Sequence, residues 1–324
     1  MLRRLAILAD PMIAVLLLAT ALAIVLPAVG VAREGAQTLS NAAIFVLFLV
    51  NGMRIARKEI LRGFANWRFF LPLFLWVFGA MALAGLGLAK AAEAFLPPLV
   101  ALGFLYLGTL PSTIQSATSY TSLAGGNVAL SVVGAALINI AGVFITAPLF
   151  ATLAGSEAAD IGSETIVRIG LILVLPFIIG QMVQGWTIDW LTKRKGQVVW
   201  LDRIVIGIAV YVAFSGAVEQ GLGSMFGLSG WAALIGLVAV YLIFASGGSW
   251  LTGGVLRLAR EDRIAFLFAG AQKSVAIGAP LAALLFPAEI AGFVIAPLLL
   301  YHLIQLMIAA PLASFLAQSR QDLG

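Results

Sequence analysis

Gly270-Ala271-Gln272-Lys273-Ser274 lies inside an apolar stretch that runs from Ile264 to Phe286, and the nearest charged residue before the lysine is Arg263. On a helix rising about 1.5 Å per residue, Lys273 stands roughly 15 Å from the end, too deep for its stem to reach an interface easily. Gly270, Gly278 and Pro280 share the stretch, so the helix is expected to be interrupted. An ionisable side chain at membrane depth is costly and rare, and it marks a functional site by default. Working outward, two questions arise: whether the chain around this lysine is a membrane chain, and whether it supplies partners for the ammonium.

Composition answers the first. Hydrophobic residues make up 62% of the 324 and charged residues 10%, with a mean hydropathy of +1.09, far from any soluble domain of this length. The chain reads as an all-α polytopic membrane protein. With no cysteine, disulfide frameworks, thiolate metal sites and cysteine nucleophiles are excluded.

Met1-Leu2-Arg3-Arg4 precedes an apolar run at 11–29. Its charged start and apolar middle have the outline of a signal peptide, but the run is long enough to span and pairs with the apolar runs after it. Further runs of spanning length fall at 37–53, 69–89, 95–123, 127–153, 165–186, 203–220, 229–251, 264–286 and 289–316, giving ten transmembrane helices. The fourth is broken by Gly108-Thr109-Leu110-Pro111 and the ninth by the glycines around Lys273.

The loop charges test that count. A cytoplasmic N-terminus puts on the inner side Arg3 and Arg4, then Arg54, Arg57, Lys58, Arg62 and Arg68. Lys193, Arg194, Lys195 and Arg203 come next on that side, then Arg257, Arg260, Arg263 and Arg320, which makes 15 of the 19 lysines and arginines. The outer loops hold Arg33 and Lys90, with Glu157, Asp160 and Glu164 after the fifth span, and Arg168 sits at a span edge. Such a bias favours a multi-pass protein of the cytoplasmic membrane with both termini inside. It also accounts for the net charge of +5 and the pI near 9.8 with no nucleic-acid partner. Trp67, Trp186, Trp190, Trp200 and Trp250 fall near span ends, where an aromatic belt belongs.

Breaks in the fourth and ninth of ten spans suggest two repeats of five, at 1–153 and 154–324. An odd number of spans per repeat inverts one against the other. Paired discontinuous helices at equivalent positions point to a transporter's binding site near the midplane. Freed backbone groups at that depth are tolerated only when buried or lining a cavity.

The polar residues fall in the right places. Ser112, Gln115, Ser116, Ser119 and Ser122 recur at spacings of three and four, with Thr113, Thr118 and Thr121 beside them. On the fifth span, Asn127, Ser131 and Asn139 make a stripe with Ala135 in the gap. Such groups can coordinate a dehydrated cation or hydrogen-bond an anion; singly, they can also just pack helices closely.

Pro111-Ser112-Thr113-Ile114-Gln115-Ser116 and Gly126-Asn127-Val128-Ala129-Leu130-Ser131 resemble the fourth and fifth helices of the bile acid:sodium symporter superfamily. Other stretches resemble its sodium-bile-acid-symporter-like branch, related to the seventh human member. These are Asp10-Pro11, Phe48-Leu49-Val50-Asn51-Gly52-Met53, Asn66-Trp67-Arg68 and Phe268-Ala269-Gly270-Ala271-Gln272-Lys273-Ser274. The resemblance implies a panel and a core domain, with broken helices four and nine crossing in the core and organic anions moved by alternating access. In the better-known branch two sodium ions drive transport. There the ninth helix carries an acidic ion-binding residue, followed four and five positions later by Gln-Asn. Here Phe268 holds the acidic position, Gln272 matches the glutamine and Lys273 replaces the asparagine. Ser131 matches a sodium-ligand serine, Ala135 replaces a ligand threonine, and the fourth-helix ligands fall on Gln115, Ser116 and Ala117 within about one residue.

These departures hang together physically. A site that exchanges a carboxylate for an ammonium cannot hold sodium at the same place, since like charges repel strongly in low dielectric. The ammonium can instead offer its donors to the hydroxyls and carbonyls that would have held the ion. Lys273 then replaces a bound Na⁺, or couples transport to H⁺ by exchanging its proton; pairing with an anionic substrate and a static tether are the other readings. His302 and Gln305 pair at i and i+3 on the tenth span, where the histidine could relay protons or simply hydrogen-bond between helices.

An enzyme reading has no support: no carboxylate pair lies within a span, one histidine and no cysteine cannot make a zinc site, and no phosphate loop follows a strand. The reading is a secondary active transporter that carries a small organic anion across the lipid bilayer. Ser112, Thr113, Gln115, Ser116, Ser119, Asn127, Ser131, Gln272, Lys273 and Ser274 would line its ion and substrate site. No cofactor is expected beyond Na⁺ or H⁺ as coupling ion, with Gln115, Ser116, Ser131 and Gln272 as ligands if sodium binds. The alternative is a regulatory membrane protein that keeps the fold but moves nothing.

Overall fold

A chain in lipid has no water to satisfy its backbone, so apolar runs of this length must close their hydrogen bonds internally, as helices. The computed structural model describes residues 11–55, 66–155, 167–221 and 227–321, and every regular element among them is helical. In order these are α1 (Pro11–Val25), α2 (Val31–Arg54), α3 (Trp67–Ala92), α4a (Pro98–Thr109), α4b (Ile114–Leu123) and α5 (Val128–Ala154). Then come α6 (Val167–Lys193), α7 (Lys195–Glu219), α8 (Leu228–Val255), α9a (Arg260–Ala271), α9b (Val275–Leu285) and α10 (Ala288–Gln321). Each apolar run of the sequence overlaps one of these helices or broken pairs.

Among the described residues eight helices are long and apolar enough to cross a membrane, and the α4a–α4b pair, bent by 64°, makes up to nine. α1 has 15 residues, about 22 Å, against a hydrocarbon core of about 30 Å. Asp10, Arg3, Arg4, Arg57, Lys58, Arg62, Glu157, Asp160, Glu164 and the Arg320 side chain lie outside the described residues.

The chain divides into two compact units. The first comprises residues 1–57, 147–228 and 276–296. In it α2 packs on α6 through paired glycines: a Cβ on Gly52 would meet the Phe177 carbonyl, and one on Gly180 the Leu49 carbonyl. Backbones this close are how helices associate where lipid removes the hydrophobic drive. Gln181 Nε2 donates to the Gly52 and Ile55 carbonyls (2.7 and 3.1 Å), which would otherwise be orphaned at the end of α2. Arg33 bridges Glu219 and Glu289 at one end of α2, and Arg54 donates to Asp202 at 2.6 Å at the other.

The second unit comprises residues 58–146, 229–275 and 297–324. Its centre is α9a, whose residues from Ile264 to Ala271 are all buried. Phe266 meets Phe69 of α3 edge-on at 5.7 Å, and Phe268 lies 5.9 Å from Tyr120 of α4b. Ala117, Ala124, Ile264, Leu267, Ala309, Ala313 and Leu316 complete one apolar cluster there. Large apolar side chains point outward elsewhere, such as Ile243 and Leu251 of α8, while Lys273, Gln272, His302 and Gln305 are buried. That inversion is what a lipid solvent selects.

Candidate functional site

Pro111 has no N–H and cannot continue α4a, so the chain leaves the helix at Leu110 and re-enters at Ile114. A break at this depth strands carbonyls that each need a donor. Each carbonyl from Gly108 to Ser112 receives one. Lys273 Nζ donates to Gly108 and Leu110 (3.0 and 2.7 Å), and Thr146 Oγ1 to Thr109 (3.0 Å). The Ser274 N–H bonds the Pro111 carbonyl at 3.0 Å, and Asn139 Nδ2 the Ser112 carbonyl at 2.7 Å. Gly142 leaves room for this, since a Cβ there would lie 2.6 Å from the Pro111 ring.

Lys273 is wholly buried and sits in the second break, between α9a and α9b. Its Nζ contacts carbonyls at the C-terminal end of α4a, so the ammonium lies at the negative end of that half-helix, while its backbone follows the last turn of α9a. Among the described residues no carboxylate pairs with it. The neutralising partners are carbonyl dipoles, the ligands that discontinuous helices offer a cation.

The unwound backbone around Lys273 is held by α10. Gln305 Oε1 accepts from the Lys273 N–H (2.9 Å) and Gln305 Nε2 donates back to the Lys273 carbonyl (3.0 Å). The same Nε2 lies 2.7 Å from His302 Nδ1. Because Oε1 must accept, Nε2 must donate, which assigns Nδ1 as an acceptor and puts the imidazole proton on Nε2. Tyr301 Oη donates to the Ala271 carbonyl at 2.7 Å, holding the end of α9a.

The residues singled out in the sequence separate into groups. Ser116 Oγ donates to Gln272 Oε1 at 2.7 Å and bonds Thr113, linking α4b to the α9 break. Thr121 Oγ1 donates to Ser131 Oγ at 3.1 Å, both buried. Ser112 Oγ is buried with no protein partner. Gln115 and Ser119 are exposed on the opposite face of α4b from buried Ala117 and Thr121. Asn127 acts locally, since its Oδ1 accepts from the Leu130 N–H at the start of α5 and its Nδ2 donates to Asp262 at 2.8 Å. An Asn just before an apolar run is a helix-start signal, and Asn127, read in the sequence as part of a polar stripe, serves as one. Thr146, Tyr301 and the full part of Gln305 went unread there, because bonds between residues so distant in sequence leave no periodic trace.

A cavity of about 10 Å³, bounded by Ser246, Gln272, Gln305, Phe268 and Leu242, adjoins the site. That is room for about one water, against the roughly 300 Å³ a small organic ligand needs. The arrangement has the donors and acceptors to hold a monovalent cation or move a proton, and this cavity is too small to enclose an organic anion.

Residues 10–318 match the sequence pattern of the SBF-like CPA transporter family. An uncharacterised protein of Pseudomonas aeruginosa is 36% identical over 315 residues, covering 96% of this chain and 92% of that one. The Escherichia coli protein named "Putative symporter YfeH" is 33% identical over 307 residues, covering 94% and 92%. Sodium/bile acid cotransporter 7 of Mus musculus is 23% identical over 287 residues, covering 85% and 82%.

Proposed function

Since the chain belongs to the SBF-like CPA transporter family, a family of membrane transporters and not of enzymes, we propose that it is a secondary active transporter of a small organic anion. The relatives named as a symporter and as a sodium/bile acid cotransporter support ion-coupled symport and an anionic, amphipathic substrate. We read the fold as ten membrane helices in two inverted repeats, residues 1–153 and 154–324, in the cytoplasmic membrane with both termini on the cytoplasmic side. Alternating access would expose the broken helices to each side in turn.

One observation carries the mechanism: the Lys273 ammonium occupies carbonyls that a break in α4 frees. In this reading the lysine is a built-in cation. Sodium is displaced from the place it would hold, and the ammonium's own proton is the exchangeable charge. Ser112, Thr113, Ser116, Ser131, Gln272 and Ser274 complete the polar lining around it, with His302 as a second proton-carrying group.

The test is thermal stability of purified protein in uncharged detergent, titrated with Na⁺ against K⁺ and with pH, for wild type and Lys273→Ala. A ligand that binds only the folded state raises the melting temperature with the logarithm of its concentration. Wild type should ignore Na⁺ and show a pH step that Lys273→Ala lacks. Lys273→Ala, with the α4 carbonyls vacated, should gain a Na⁺-specific response. Sodium-specific stabilisation of the wild type would sink the built-in cation and restore sodium symport with relocated ligands.

A further inference from the structure

The cavity beside Gln272 and Gln305 in the second unit is too small for an organic anion, and the Lys273 ammonium is committed to backbone carbonyls, so the substrate's charge calls for another partner. We propose that Arg168, set beside Asn41 and Gln37 in the first unit, anchors the anionic group of the transported molecule. The inference rests on the organic-anion reading above and adds the residues that would recognise the charge.

Depth is the first argument. α2 runs from Val31 to Arg54, so Asn41 lies about 15 Å from one end and about 20 Å from the other. α6 runs parallel to it, with Arg168 against Asn41 and Gly180 against Gly52. Asn41 is only about 6 Å inside the apolar run 37–53 and Arg168 is the second residue of α6, so the guanidinium sits just within the edge of the span, where a partly desolvated charge favours a partner.

The census of partners is the second. Arg168 donates to Asn41 Oδ1 at 3.3 Å, and Gln37 Nε2 donates to that same oxygen at 3.1 Å and to the Ala283 carbonyl at 3.3 Å. Both neighbours are neutral amides. The other cations along α2 are neutralised, Arg33 by Glu219 and Glu289, and Arg54 by Asp202. Among the described residues no carboxylate meets Arg168, and no acceptor meets its remaining N–H groups or Asn41 Nδ2. All three side chains are only partly buried, so a molecule from outside can reach them.

What results is an excess of fixed donors around one positive charge. A planar guanidinium with a neighbouring carboxamide matches two oxygens of a carboxylate, sulfonate or sulfate ester. Lys273 cannot serve this way, because its ammonium is wholly buried and committed to backbone carbonyls.

The experiment compares cholate with its uncharged methyl ester, and adds benzoate as a small anion, as thermal stabilisers of the purified protein in a maltoside detergent. Wild type should be stabilised by cholate at lower concentration than by the ester. Arg168→Gln should weaken apparent cholate affinity about tenfold and bring acid and ester level, as expected for losing one charge-assisted anchor. Arg168→Lys should keep part of the preference. Asn41→Asp sets a carboxylate on the guanidinium; it should abolish the preference while leaving the ligand-free melting temperature at or above wild type, which separates recognition from folding. Equal response of wild type to cholate and ester, or cholate affinity unchanged in both Arg168→Gln and Asn41→Asp, overturns the anchor and leaves the transport reading standing. A wild type that neither cholate nor benzoate stabilises overturns both.

Discussion

Lys273 is where a single side chain has the largest leverage, because its removal strands two buried carbonyls of the α4 break at once. Lys273→Met keeps most of the stem's volume and takes away the donor for the Gly108 and Leu110 carbonyls. Each orphaned buried acceptor costs about 1–3 kcal/mol, so the variant should lose on the order of 2–5 kcal/mol, read as a lower melting temperature in detergent. An unchanged melting temperature would mean that the ammonium is not a structural cation. Gln305→Leu tests the other side of the same residue. It leaves the Lys273 N–H and carbonyl unpaired and should cost on the order of 2–4 kcal/mol. If Gln305 positions the lysine rather than merely stabilising α10, Gln305→Leu should also shift or erase the pH step seen in wild type, an effect that general destabilisation does not produce.

At the scale of elements, the break in α4 is a locally unfavourable segment held by donors from α5 and α9. Asn139→Leu should therefore destabilise by about 1–3 kcal/mol through the freed Ser112 carbonyl, although it adds apolar volume that lipid-facing positions would accept. Gly142→Val should cost a similar amount, about 1–3 kcal/mol, by overpacking against a pyrrolidine ring that has no rotamer to escape into. Melting curves of both variants check this; wild-type stability in both would show that the break needs no support from α5. The break itself was legible in Gly108-Thr109-Leu110-Pro111, since proline and glycine act locally, and so was the interruption at Lys273. Its completion was not. Serines and threonines along α4b share a spacing in the sequence, yet only the packing decides that Ser116 turns to Gln272 while Gln115 and Ser119 stay exposed. Arg168 shows the same limit, because a cation at a span edge acquires meaning only from the amides that α2 sets against it.

For the whole molecule the decisive quantity is the number of crossings, because two repeats of five are inverted only if every span counts. The described part of α1 is shorter than the hydrocarbon core, so α1 decides between nine and ten. The chain has no cysteine, so single engineered cysteines report sidedness without background. Lys90, Lys195, Gln220 and Arg257 are exposed and lie outside the apolar part of their helices or between helices, which suits them to the purpose. In right-side-out membranes, cysteines at 90 and 220 should react with an impermeant maleimide, while those at 195 and 257 should react only after the membrane is opened, following the basic bias of the inner loops. Five crossings separate Lys90 from Arg257 whether or not α1 spans, so their opposite sidedness tests the remaining helices alone. A tag fused ahead of Met1 then isolates α1. If α1 crosses, the tag shares the side of Lys195 and is protected from external protease; if it does not, the tag is cleaved, the crossings become nine, and α4 and α9 can no longer be equivalent positions of an inverted pair.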